Sequence, residues 1–176
     1  KEIIMQKLTN GISYTLNKED ASIIAEMLKN LENENDNGYF DNNFKIDKNM
    51  KLKNMVYNGF GAELAFCRLC DIAFDNSVQT YKNYFLQDDA VLKNGKRIDV
   101  KSTIYKYGKL AISPNKSKHI VDGYALMVGE FPSFTFRGWA SYNEIINPDN
   151  IGTLGNHNVK SYILNQHQLN KELIIE

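Results

Sequence analysis

Gln87-Asp88-Asp89-Ala90-Val91-Leu92-Lys93-Asn94-Gly95-Lys96-Arg97-Ile98-Asp99-Val100-Lys101 is the stretch on which the reading of this chain turns. Its second half alternates: Arg97, Asp99 and Lys101 point to one side of a strand, and Ile98 and Val100 to the other. Alternating charge on a strand is common on solvated sheets, so the pattern alone does not make a site. The turn narrows the geometry. Lys93-Asn94-Gly95 suits a three-residue hairpin loop, a type I turn with Gly95 at the positive-φ bulge position. In that register Asp89 stands opposite Asp99, with Cβ atoms about 5 Å apart. Ala90 and Leu92 then share an apolar face with Ile98 and Val100. A two-residue Asn94-Gly95 turn would slip the register by one, bringing Asp88 beside Asp99 and turning Asp89 to the dry face. The apolar pattern favours Asp89, and the alternative stays open.

Two carboxylates side by side repel unless a cation lies between them. Hard oxygen donors suit Mg²⁺ or Mn²⁺ better than zinc. Lys101, on the same face as Asp99, would sit next to such an ion. There it can orient and help deprotonate an attacking water, or offset charge on phosphoryl oxygens.

Outward from this hairpin the chain reads as α/β. A hairpin is expected over residues 3–16 around Asn10-Gly11. An amphipathic helix follows over about residues 18–33, with Asn17 as cap. Residues 32–49 read as an Asn- and Asp-rich connection, and a second helix as running from about 49 to 73. Strands are expected at 79–92, 96–104, 109–113, 123–130, 134–140 and 160–164. Short helices fit at 114–121 and 142–147, and the end of the chain reads as a short helix or tail. This order suggests an α/β sandwich around a mixed sheet in a single domain. Residues 1–48 would form an N-terminal hairpin and helix extension, 49–140 a core and 141–176 closing elements. Cys67 and Cys70 lie three apart on the second helix; without a second ligand pair they read as core residues, not as a zinc or redox site.

Gly59-x-x-x-Glu63 on a helix, then Asp89 followed by Ala90-Val91-Leu92, then Asp99-Val100-Lys101 on the next strand, resembles the PD-(D/E)xK nuclease superfamily. The likeness covers about residues 55–140. It extends weakly through Phe136-Arg137-Gly138-Trp139 toward the tails of phage-type members. Gln87-Asp88 stands where a Pro often precedes the first Asp. The resemblance implies a restriction-endonuclease-like sandwich, a central mixed β-sheet flanked by helices with an N-terminal helical extension. It also implies a Mg²⁺- or Mn²⁺-dependent deoxyribonuclease, an endonuclease leaving 5′-phosphate and 3′-hydroxyl ends. By the same likeness Asp89, Asp99 and the carbonyl of Val100 would hold the metal. Lys101 would act on the water, and Glu63 would hold a water on the metal or a second metal. A solvent-facing helix position is the plainer reading of Glu63, against which its apolar neighbours Phe60, Phe66 and Cys67 argue.

With 21 basic and 21 acidic residues the chain is neutral, which argues against a protein that coats DNA by charge alone. It leaves room for a local basic groove. Lys116 and Lys118, after the Ser113-Pro114 cap, and Arg97 are the candidate DNA contacts. Trp139 reads as packing. No apolar run nears the roughly 20 residues of a membrane span and no leader pattern opens the chain, so no membrane and a cytoplasmic location are expected. The Asn- and Lys-rich composition suggests a phage or AT-rich bacterial source. A nuclease of this kind that cuts both strands is expected to act as a homodimer. The competing reading is a nucleic-acid-binding or regulatory module on the same fold without catalysis.

Overall fold

Asn17 starts the first helix as its side chain requires: its Oδ1 accepts the backbone N–H of Asp20 at 2.9 Å. The computed structural model describes residues 6–36, 54–76, 88–155 and 159–176. Lys18–Asp36 forms α1, whose Ile24 and Met27 are buried at helical spacing. A π-helical turn, Met55–Phe60, leads into α2, Gly61–Cys70. The expected helix at 49–73 thus spans both pieces, and its start at 49–53 lies outside the described residues. Asp20, itself buried, binds the Arg68 guanidinium at 2.9 Å and fastens α1 to α2.

A five-stranded mixed sheet forms the middle layer. In space it runs β2 (Ser13–Thr15), β7 (Ser133–Ser141), β6 (Gly123–Glu130), β4 (Arg97–Thr103) and β3 (Ala90–Val91). All pairs are antiparallel except β4 with β6. A parallel pair needs a long crossover, here residues 104–122. That crossover carries β5 (Leu110–Ile112), which joins β9 (Lys160–Leu164) and β8 (Ile151–Thr153) in a second, antiparallel sheet. A short helix α3, Tyr142–Ile145, follows β7 and opens on a capping box between Ser141 and Glu144.

Each face of the middle sheet has its own core. Ile98, Val100, Ala125, Met127, Phe134 and Phe136 pack toward α1 and α2. Tyr124, Leu126, Val128 and Ala140 pack toward β5, β9 and α3. Strand β6 is therefore buried on both sides, which is why Tyr124-Ala125-Leu126-Met127-Val128 is a continuous apolar run rather than an alternating one. Burying a single Phe or Leu contributes about 1.5–3 kcal/mol. Strand β7 alternates, and the register slips at Leu126/Met127, where Gly138 takes φ 127°.

Several expectations need correction. Asn10-Gly11 makes a turn, with the Ile12 N–H donating to the Thr9 carbonyl at 3.3 Å, but the strands beside it do not pair with each other. β1 (Lys7–Thr9) joins β10 (Glu172–Ile174), while β2 joins β7, so the first strands belong to the sheets and not to an appended hairpin. Leu8 and Leu173 are cross-strand partners and both buried, which gives β1 a better-packed neighbour in β10 than in β2. The end of the chain accordingly closes as strand β10 rather than as a helix or tail. The helix expected at 114–121 is one 3₁₀ turn, Lys116–Lys118. Residues 32–36, read as loop, continue α1. Most of the strand expected at 79–92, from 79 to 87, lies outside the described residues, as do residues 1–5 and 37–49. Among the described residues no helix is long and apolar enough to cross a membrane.

Candidate active site

The loop between β3 and β4 sets the site's register. Leu92 and Lys96 are joined by a 2.8 Å backbone hydrogen bond, and Gly95, at φ 84°, donates to the Leu92 carbonyl. This is the three-residue loop Lys93-Asn94-Gly95, with glycine where a side chain would be strained. Ala90 pairs with Ile98 and Val91 with Arg97. One step further Asp89 stands opposite Asp99, at a position where facing side chains approach closely. Ala90, Leu92, Ile98 and Val100 all lie in the helix-side core.

Asp89 and Asp99 are bound into one cluster. An Asp89 oxygen accepts the Val100 N–H at 2.7 Å. Since the N–H and C=O of one extended residue point the same way, the Val100 carbonyl also faces the Asp89 side of the strand. Lys101 Nζ lies 2.5 Å from Asp99 Oδ1, and Lys116 Nζ lies 3.5 Å from Asp99 Oδ2. Asp99 is 1% exposed and Glu63, on α2, is 8% exposed. Cys67, one turn beyond Glu63, packs its sulfur 4.0 Å from the Asp89 carbonyl oxygen.

The electrostatics follow from this crowding. Burial, then the charges of Glu63 and Asp99 and the Asp99 hydrogen bond, push Asp89 well above the usual carboxylate range. The two carboxyls thus act on each other as one hydrogen-bonded pair. Burial alone would also raise Asp99, but Lys101, the bond from Asp89 and Lys116 outweigh it and hold Asp99 low. Burial pulls Lys101 down, yet Asp99 and Asp89 more than compensate, so it stays a cation.

Three buried polar atoms lack a hydrogen-bond partner among the described residues, Asp99 Oδ2, the Tyr124 hydroxyl and Arg137 Nε, and the first two belong to this cluster. Tyr124 is the neighbour of Asp99 across the β4–β6 pair. Two carboxyls crowded together in a buried place, one of them raised by the other's charge, are suited to a hard cation between them. No three His, Cys, Asp or Glu side chains among the described residues group into a metal cage of their own. Mg²⁺ does not need one, because it binds through one or two carboxylates and keeps several waters. Asp89, Asp99 and the Val100 carbonyl fit that requirement.

Of the residues singled out from the sequence, Asp89, Asp99, Val100 and Lys101 come together, with Glu63 close enough for its charge to act on Asp89 and Lys101. Lys116, expected to contact DNA from the surface, instead turns into the cluster, with only 11% of its side chain exposed. Lys118 is exposed. Arg97 is exposed too, but its guanidinium donates to the Ile120 carbonyl at 3.0 Å and faces Asp122 and Asp88. Asp88 is occupied by His119, 2.9 Å away, and Arg97, outside the acidic pair. A Cβ at Gly59 would meet nothing within 4 Å, whereas one at Gly61 would press on the Phe134 ring at 3.2 Å, so the close helix–sheet approach is at Gly61. Cys67 and Cys70 are buried free thiols, and the Trp139 indole donates to the Glu172 carbonyl at 2.8 Å as a packing residue. No signal in the sequence ties Lys116 or Tyr124 to Asp99, because only the crossover and the parallel pairing bring them near.

No family model, curated protein or solved structure matches this chain.

Proposed function

We propose that this chain is a Mg²⁺-dependent deoxyribonuclease with a restriction-endonuclease-like sandwich, acting in the cytoplasm. The observation that carries the reading is the meeting of Asp89 and Asp99 across the β3–β4 hairpin, with Lys101 on Asp99 and Glu63 buried nearby. A merely solvated hairpin has no reason to bury an acid to 1% exposure and set two ammonium groups against its two oxygens.

Asp89, Asp99 and the Val100 carbonyl would hold the cation. When bound, it supplies Lewis-acid polarisation of a phosphodiester and makes water easier to deprotonate. Lys101, as an ammonium, has donors and no lone pair, so it orients a water or a phosphoryl oxygen and offsets developing negative charge. Lys116 shares the neutralisation of Asp99 and keeps that carboxylate ionised. Glu63 adds a third acid whose charge favours cation entry. The Val100 N–H fixes the direction of the Asp89 carboxyl, and Cys67 packs against the Asp89 backbone carbonyl. Cutting both strands would call for a homodimer.

The test is cleavage of supercoiled plasmid and of labelled oligonucleotides with Mg²⁺, Mn²⁺ or EDTA, beside Asp99→Ala and Lys101→Ala. Asp99→Ala is expected to lose cleavage and metal binding, and Lys101→Ala to lose cleavage alone. Cleavage by Lys101→Ala at the wild-type rate would remove the assignment. Nucleic-acid binding without cutting under any metal would favour a non-catalytic binding module.

A further inference from the structure

Beyond the catalytic strand the chain presents a surface that the acidic cluster does not use. Residues 100–121 contain Lys101, Lys106, Lys109, Lys116 and Lys118 and no Asp or Glu, in a chain whose net charge is zero. Lys101 and Lys116 point into the cluster, while Lys106, Lys109 and Lys118 are exposed. Between the exposed lysines stand Tyr105 and Tyr107, 71% and 81% exposed.

These rings project from a turn that is tied down. Gly108 donates to the Tyr105 carbonyl at 2.8 Å, and the Tyr105 N–H to Thr103 Oγ1 at 3.3 Å. From β9's side, the Gln166 amide donates to the carbonyls of Lys106 and Gly108 at 3.0 and 2.9 Å. A Cβ at Gly108 would strike the Thr103 side chain at 2.4 Å, so the turn closes tightly. Lys106 Nζ sits 5.3 Å from the centre of the Tyr107 ring. The backbone is held while the aromatic faces are offered to solvent, an arrangement that lowers the ordering cost of a stacking partner.

We infer that Tyr105 and Tyr107, with Lys106 and Lys109, form a stacking platform for unpaired bases, so that the DNA engaged here has single-stranded character. Tyrosine faces accept any base, the lysines match the phosphates between bases, and a paired base has no free face to give. Tyr105 follows Lys101 by four residues, at most about 14 Å of chain, so the platform would hold a strand within a few nucleotides of the acidic pair. What the platform serves rests on the nuclease reading; its binding does not.

The experiment is fluorescence anisotropy in EDTA, with labelled oligothymidylate and a blunt duplex hairpin as probes. Wild type is expected to prefer the single strand. Tyr105→Ala and Tyr107→Ala should each weaken it by about fivefold or more, on the scale of one lost base stack. Tyr105→Phe and Tyr107→Phe should retain affinity, and all four variants should bind duplex as wild type does. No preference for the single strand, wild-type affinity in the alanine variants, or equal competition by polyglutamate would overturn the inference. If the platform binds as described but Asp99→Ala cleaves like wild type, the nuclease assignment falls and the platform stands. Metal-dependent cleavage lost in Asp99→Ala, without tyrosine-dependent binding, is the converse.

Discussion

Lys101→Met removes the ammonium and keeps the apolar stem, which isolates the charge that faces Asp99. The carboxylate left behind is 1% exposed, and its partner stood 2.5 Å away. Removing one member of a buried ion pair costs about 3–5 kcal/mol. Two features reduce that here: 28% of the Lys101 side chain is exposed, and Lys116 remains 3.5 Å from the other oxygen. The expected loss is therefore about 2–3 kcal/mol in metal-free protein. With a urea slope of about 2 kcal/mol/M, the unfolding midpoint should fall by about 1–1.5 M. Saturating Mg²⁺ should recover part of this in the variant, since a cation at Asp89 and Asp99 neutralises the same charge. Adding Asp99→Asn to Lys101→Met should restore most of the stability in EDTA, because the orphaned charge is gone, but no cleavage. A midpoint shift below about 0.3 M for the single variant, or no recovery in the double variant, would refute the view that Asp99 is a buried anion held by this lysine.

The register makes a second prediction: Asp89→Asn should abolish cleavage and weaken Mg²⁺ binding measured by calorimetry, whereas Asp88→Asn should be mild. The reverse order would place the metal on the Asp88 side of the strand. A third concerns the thiols. Burial raises both, Cys70 to about 12 and Cys67 further, so both remain protonated and unreactive in the folded state. Being raised, these groups add stability that is complete below the unfolded thiol value, about 8.5, and is lost as pH rises toward 12. Thiol reagents at pH 8 should modify them only as fast as the protein unfolds; rapid labelling of the native protein would contradict their burial.

Local chemistry was legible where neighbours in sequence are neighbours in space. Asn17 as a helix cap and Gly95 as the positive-φ loop residue depend on contacts three residues apart or fewer. The opposition of Asp89 and Asp99 was equally local: the turn and the alternating face favoured it over the Asp88 register, and the pairing of Ala90 with Ile98 decided between the two. Reading failed where local preference met long-range competition. Asn10-Gly11 is a good hairpin signal, yet the strands beside it found better partners in β10 and β7. The Ser113-Pro114 cap was followed by too little apolar content to sustain more than one 3₁₀ turn.

By itself, then, the sequence determined the turn, the alternation and the pairing of two acids with a lysine, because these follow from backbone geometry over a few residues. Only the tertiary structure decided that Asp99 is buried between two ammonium groups and that Lys116 is a member of the cluster. It alone also set Tyr124 beside Asp99 and left Tyr105 and Tyr107 in solvent. The physical reason is the parallel pairing of β4 with β6. That pairing obliges the chain to cross over through residues 104–122, and the path of the crossover is set by the second core, not by its own local sequence.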